Sequence, residues 1–123
     1  MYPILRYEDA SAAIRFLSEA FGLTEHAVHP GSDGTITHAE LAWGSGLVML
    51  ASASPGSTFD LRPCCLYLAV ADPDAHHDRA VGAGAEIVMA LTDQDYGSRE
   101  YAARDPEGNV WCFGTFQPGP GKH

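Results

Sequence analysis

Apolar and polar residues are spaced along this chain in two distinct rhythms. From Ala10 to Phe21, the apolar residues Ala10, Ala13, Ile14, Leu17 and Phe21 recur every three or four positions, which is one face of a helix. Asp9 precedes the run as an N-cap and Gly22 follows it as a stop. Asp72-Pro73 opens a second helix in the same way, since the first helical N–H has no intrahelical partner and proline loses nothing there; Gly82-Ala83-Gly84 closes it. The other apolar runs are short, alternate with polar residues and are bounded by glycine, proline or aspartate. They predict strands over Tyr2 to Tyr7, Leu23 to His29, Ile36 to Trp43, Leu47 to Ser52, Cys65 to Ala71, Glu86 to Leu91, Arg99 to Arg104 and Val110 to Phe116.

The order of elements is the same in both halves. Asp9 and Asp72 lie 63 residues apart, and the hairpin glycines Gly44 and Gly108 lie 64 apart. This offset predicts a duplicated strand-helix-strand-strand-strand unit: a first βαβββ module over 1–52, a linker over 53–63, a second module over 64–116 and a flexible tail over 117–123, all in one structural domain. The fold class expected is α+β, with the two βαβββ modules forming an incomplete barrel around a concave pocket.

Alternation also assigns faces. Leu66, Leu68 and Val70 share one side of their strand and suit a helix-covered core, as do Trp111 and Phe113 on the last strand and Pro3 and Leu5 on the first. The opposite sides carry Cys65, Tyr67 and Ala69; Cys112 and Gly114; and Tyr2, Ile4 and Arg6, with Met49 and Ala51 from the fourth strand. Small groups at these positions leave room, whereas a closed core would fill it. The concave side is therefore expected to hold a cavity, apolar and aromatic.

Composition narrows the classes. The chain has 7 basic and 16 acidic residues, a net charge of −9, so it repels nucleic-acid backbones and anionic lipid. No apolar run is long enough to span a bilayer, and the N-terminus lacks the zones of a signal peptide, so a cytoplasmic protein is expected, with neither nucleic acid nor membrane as partner. Three cysteines, two adjacent (Cys64, Cys65), make no disulfide framework. His38 and Glu40 share one side of a strand, a spacing that could seat a ligand or acid–base pair, and the reading preferred is a solvated strand face. His26 and His29 are expected on opposite faces, and His76 and His77 point apart on their helix, so the six histidines read as surface residues with no convergent trio.

The segments Leu68-Ala-Val-Ala-Asp-Pro-Asp-Ala75 and Arg99-Glu-Tyr-Ala-Ala-Arg-Asp-Pro-Glu-Gly-Asn109, together with the duplicated plan, resemble the vicinal oxygen chelate superfamily: glyoxalase I, extradiol dioxygenases, fosfomycin-resistance enzymes and the bleomycin-resistance proteins, the last branch being most similar. The resemblance implies that each repeat supplies part of a sheet curled around a pocket, that helices cover the outside, and that two chains form a homodimer. Metal-dependent members place one ligand on each of four strands. Carried over, those places fall on Tyr2, Met49, Cys65 and Cys112, none of them histidine or carboxylate, and a slip from Cys65 to Leu66 restores none. No metal and no cofactor is expected.

Three readings of function follow. One is a protein that binds and sequesters a small molecule, antibiotic-like, planar aromatic or cationic, without a catalytic metal. The ligand-binding residues expected are Tyr2, Met49, Cys65, Tyr67 and Cys112 in the pocket, Trp43 or Phe59 at its mouth or across the dimer, and Tyr101 as a further stacking ring. The alternative is a glyoxalase-like metal-dependent lyase, isomerase or dioxygenase, and a third is a dimeric scaffold whose pocket is vestigial. Cys65 and Cys112 as a soft-ion or redox pair compete with their reading as small buried hydrophobes.

Overall fold

The computed structural model describes residues 1–118; the remainder of the expected tail, 119–123 with His123, lies outside the described residues. The elements run β1 (Ile4–Tyr7), α1 (Ala10–Phe21), β2 (Thr24–Pro30), β3 (Ile36–Trp43), β4 (Gly46–Ser52), β5 (Cys65–Ala69), α2 (Pro73–Gly82), β6 (Glu86–Asp93), β7 (Arg99–Arg104) and β8 (Val110–Gly114). Both helices are capped as the sequence predicts. Asp9 Oδ1 accepts the Ala12 N–H at 3.1 Å, and Asp72 Oδ1 accepts that of Ala75 at 3.1 Å. Gly22 ends α1 with φ of 78°, a left-handed conformation that favours glycine.

Two four-stranded mixed sheets result, ordered β1-β4-β3-β2 and β5-β8-β7-β6. In each, the first strand runs parallel to the last, with Ile4 opposite Met49 and Tyr67 opposite Cys112, while the other pairings are antiparallel. The fold is α+β with two βαβββ units, and the sheets are not closed into a barrel. β1 starts two residues later than expected. Pro3 has no N–H for the ladder and offers only its carbonyl, which accepts from Met49 at 3.0 Å, so Tyr2 lies outside the sheet and Pro3 is exposed.

One core serves both units. Leu5 and Tyr7 of β1, Leu17 and Phe21 of α1, Leu41 and Leu50, and Leu68, Tyr101, Trp111 and Phe113 of the second sheet are buried together. The Phe21 ring lies 5.7 Å from Trp111 and 4.8 Å from Phe113, which ties α1 to β8. Leu66, expected in the core, is half-buried and packs at its margin. The sides of the strands opposite this core, which carry Ile4, Met49, Tyr67 and Cys112, take no part in it.

Two polar junctions hold the units in register. The first is Asp105, 4% exposed. Its Oδ2 accepts from Tyr7 Oη (2.6 Å), Trp111 Nε1 (3.0 Å) and Asn109 Nδ2 (3.1 Å), and its Oδ1 from the backbone N–H groups of Glu107 (3.0 Å) and Asn109 (3.1 Å). Glu107, two residues on, accepts the N–H groups of Glu8 (2.7 Å) and Asp9 (2.9 Å), placing a carboxylate at the start of α1, and binds Arg62 at 2.8 Å. The second junction is His76 of α2. Phe21 offers only a carbonyl at 2.8 Å, so His76 Nε2 carries the hydrogen and Nδ1 accepts from Tyr101 Oη at 2.5 Å. Trp43 closes the junction, its indole N–H donating to the Ala69 carbonyl at 2.7 Å with its ring edge-on to His76. His76 is thus half-buried between the units, where the sequence suggested a surface residue.

Asp105→Asn keeps the shape but turns one acceptor into a donor facing donors, so it should lower the unfolding free energy by about 3 kcal/mol or more in a urea melt; a loss under about 1 kcal/mol would contradict the role given to this carboxylate. His76 supplies a pH-dependent test. Burial pushes its imidazole below its usual value. The unfolded chain then takes up the proton more readily, so this contribution is intact above about pH 6.5 and is lost as pH falls toward the folded value. The melting temperature of the native protein should therefore drop more steeply from pH 7 to 5 than that of His76→Gln, which cannot titrate; parallel slopes would refute it.

A candidate ligand cleft on the second sheet

Strand alternation places Tyr67 and Cys65 of β5, Cys112 and Gly114 of β8, and Glu100 and Ala102 of β7 on one face, because Tyr67 pairs with Cys112, Ala102 with Cys112, and Glu100 with Gly114. That face forms the floor of a cleft of about 590 Å³ lined by Cys65, Leu66, Tyr67, Tyr96, Glu100, Cys112, Phe116 and Pro118. Gly114 is what lets the floor be this deep. A Cβ there would come within 2.4 Å of Glu100 Cγ and 2.8 Å of the Tyr67 hydroxyl, so the glutamate lies flat where any other residue would stand.

The two phenols and the Cys112 thiol of the cleft are held protonated. Tyr67 Oη donates to the Phe116 carbonyl at 2.7 Å, and burial pushes the phenol up. Tyr96 Oη donates to Glu100 Oε1 at 2.6 Å, which pushes that phenol up to about 12. Cys65 and Cys112 face each other with sulfurs 3.8 Å apart, and burial, with the Cys65 hydrogen bond, pushes the Cys112 thiol up to about 11. None of these phenols or the Cys112 thiol is an activated nucleophile or base near neutral pH. What the cleft offers is ring faces, apolar walls and one carboxylate.

The eight residues singled out from the sequence do not converge. Cys65, Tyr67 and Cys112 line this cleft. Met49 sits half-buried on the first sheet beside Ile4 and Glu40, and Tyr2 is 59% exposed ahead of that sheet. Phe59, 62% exposed in the linker, lies over Arg6 with its ring centre 5.7 Å from the guanidinium. Trp43 is bound to Ala69 as described, bordering a second groove with Gly44, Leu47 and Leu68. Tyr101 is a correction: it is fully buried, stacked on Phe113 at 5.1 Å and hydrogen-bonded to His76, because β7 turns it to the core side with Ala103. Glu100, Tyr96 and Phe116 were not anticipated, although the alternation that buries Tyr101 implies that Glu100 faces the cleft.

The histidine reading also needs correction. A bulge in β2 between Glu25 and Ala27 breaks the simple alternation. His38 Nε2 lies 2.8 Å from Glu40 Oε2, His26 Nε2 3.8 Å from Glu40 Oε1, and the His29 ring stacks on His38 at 6.0 Å. The His38 hydrogen bond holds the Glu40 carboxyl below its usual range. These groups satisfy one another on an open strand surface. Among the described residues no three His, Cys, Asp or Glu side chains form a set that could hold a metal ion. The family's ligand places fare no better: Tyr2 lies ahead of the first sheet, Met49 is on it and Cys65 and Cys112 are on the other, and a phenol, a thioether and two cysteine sulfurs do not suit a hard divalent cation.

A family model, that of the Glyoxalase/Bleomycin resistance protein/Dioxygenase superfamily, matches residues 2–113. Uncharacterized proteins of Mycobacterium bovis and Mycobacterium tuberculosis are each 36% identical over 121 residues, covering 91% of this chain and 80% and 71% of theirs. Among solved structures, TioX from Micromonospora sp. ML1 superposes with a TM-score of 0.77 at 34% identity, over 93% of this chain and 95% of its own. TnmS3, an antibiotic binding protein from Streptomyces sp. CB03234, gives 0.73 at 22% over 91% and 90%, and a Zea mays glyoxalase I mutant 0.75 at 17% over 97% of this chain and 46% of its own. The chain belongs to the Glyoxalase/Bleomycin resistance protein/Dioxygenase superfamily, as its duplicated βαβββ plan and its Asp105-Pro-Glu-Gly-Asn109 turn imply.

Proposed function

We propose that this protein binds and sequesters a small molecule, antibiotic-like and planar aromatic or cationic, without a catalytic metal. The observation that carries this reading is the cleft itself: a floor of small residues, walls made by Tyr67, Tyr96 and Phe116, and no activated nucleophile among its phenols and the Cys112 thiol. Its volume suits a ligand of drug size. That a fold neighbour is an antibiotic binding protein supports the same reading; that another is a glyoxalase I is why fold alone does not decide it. The competing reading, a metal-dependent glyoxalase-like enzyme, has the His38–Glu40 pair in its favour. Stoichiometric zinc, nickel, manganese or iron in protein purified without chelator would put it first.

The assembly we infer is a cytoplasmic homodimer. Tyr2, Ile4, Phe59 and Leu61 are each more than half exposed, apolar groups that a second copy would cover. Light scattering should give about twice the 13.1 kDa chain mass, and a species of 13.1 kDa alone would refute the dimer.

Isothermal calorimetry with quinoxaline-type aromatics and bleomycin-type glycopeptides tests the cleft directly. Losing one stacked ring should weaken a ligand that binds the native protein by about 5- to 30-fold in Tyr67→Ala. The melting temperature should barely move, since Tyr67 packs in no core. Equal affinity in both proteins would take Tyr67 out of the site.

A further inference from the structure

Among the described residues Glu100 is the one carboxylate that lines the cleft. It is 7% exposed, yet only one hydrogen bond reaches its carboxylate, from Tyr96 Oη to Oε1. It forms no ion pair with any described residue, although the arginines of its own strand are engaged elsewhere, Arg99 with Asp74 and Asp93 and Arg104 with Glu86. Oε2 lies over Gly114, at the floor of the cleft, and accepts no hydrogen bond from a described group. A buried carboxylate with one neutral donor is costly, and a cation beside it removes the cost. The partly exposed rings of Tyr67, Tyr96 and Phe116 border the same space, and a ring face attracts positive charge.

We propose that Glu100 is the specificity-determining counter-ion of the bound molecule, so that the cleft selects ligands carrying an ammonium group next to an aromatic ring over neutral ligands of the same shape. The proposal rests on the reading of this cleft as the binding site. The ammonium sits at Oε2 with the aromatic part against the tyrosines. Tyr96, by donating to Oε1, holds the carboxylate in place and leaves its second oxygen to the ligand.

The test uses two probes of equal shape, (3-hydroxyphenyl)trimethylammonium and 3-tert-butylphenol, titrated by NMR into the native protein, Glu100→Gln and Glu100→Asp. The native protein should bind the ammonium at least about tenfold more tightly. Glu100→Gln still accepts the Tyr96 hydroxyl but carries no charge, so the ratio of the two affinities should fall to about one. Glu100→Asp should retain part of the preference. Equal binding of both probes to the native protein, or a preference that survives in Glu100→Gln, overturns the proposal and leaves the cleft reading standing. Binding of neither probe overturns both. If Glu100→Gln does not fold, the comparison within the native protein decides by itself.

Discussion

A single buried carboxylate organises this molecule. Asp105 accepts five hydrogen bonds, two from its own turn, two from side chains of β8 and its approach, and one from Tyr7 of the opposite unit. Charged hydrogen bonds of this kind are among the stronger polar terms in a fold, and a buried carboxylate tolerates few alternatives to having them all. The turn that carries Asp105 also carries Glu107, which accepts the two N–H groups just ahead of the first helix, and Asn109, whose side chain accepts the Cys64 N–H at 2.9 Å. Five residues thereby tie together the last hairpin, the first helix and the linker.

That arrangement decides which faces of the two sheets stay open. The Tyr7–Asp105 bond and the His76 junction draw the core-facing sides of both sheets into one interior, and the rings of Phe21, Trp111 and Phe113 fill it. The other side of each sheet is left at the surface. The second sheet becomes a cleft there, lined by Cys65 and Cys112 and with Glu100 lying flat over Gly114; the first sheet presents an open surface on which His26, His38 and Glu40 pair among themselves.

Much of this was legible in the sequence. The caps at Asp9 and Asp72, the constant offset between the halves, and the alternation of Cys65, Tyr67 and Cys112 against Leu68, Trp111 and Phe113 all follow from local rules. What was not legible depends on contacts between distant residues or on breaks in alternation. The β2 bulge that gathers histidines near Glu40 leaves no mark in composition. Tyr101 looked like a stacking ring until the His76 nitrogen, on another element, explained why a phenol is buried there. Expecting Tyr2 and Met49 beside Cys112 assumed that both modules line one pocket, whereas the two sheets share no ladder.

The central claim is that the second sheet's cleft takes up a small molecule and returns it unchanged. Amide chemical-shift mapping on labelled protein, with a bound aromatic ligand recovered afterward and weighed by mass spectrometry, addresses both halves of it. The account predicts shifts concentrated at Tyr67, Glu100, Cys112 and Gly114, with ligand mass unaltered. Shifts centred on His38 and Glu40, or a changed ligand mass, would contradict it.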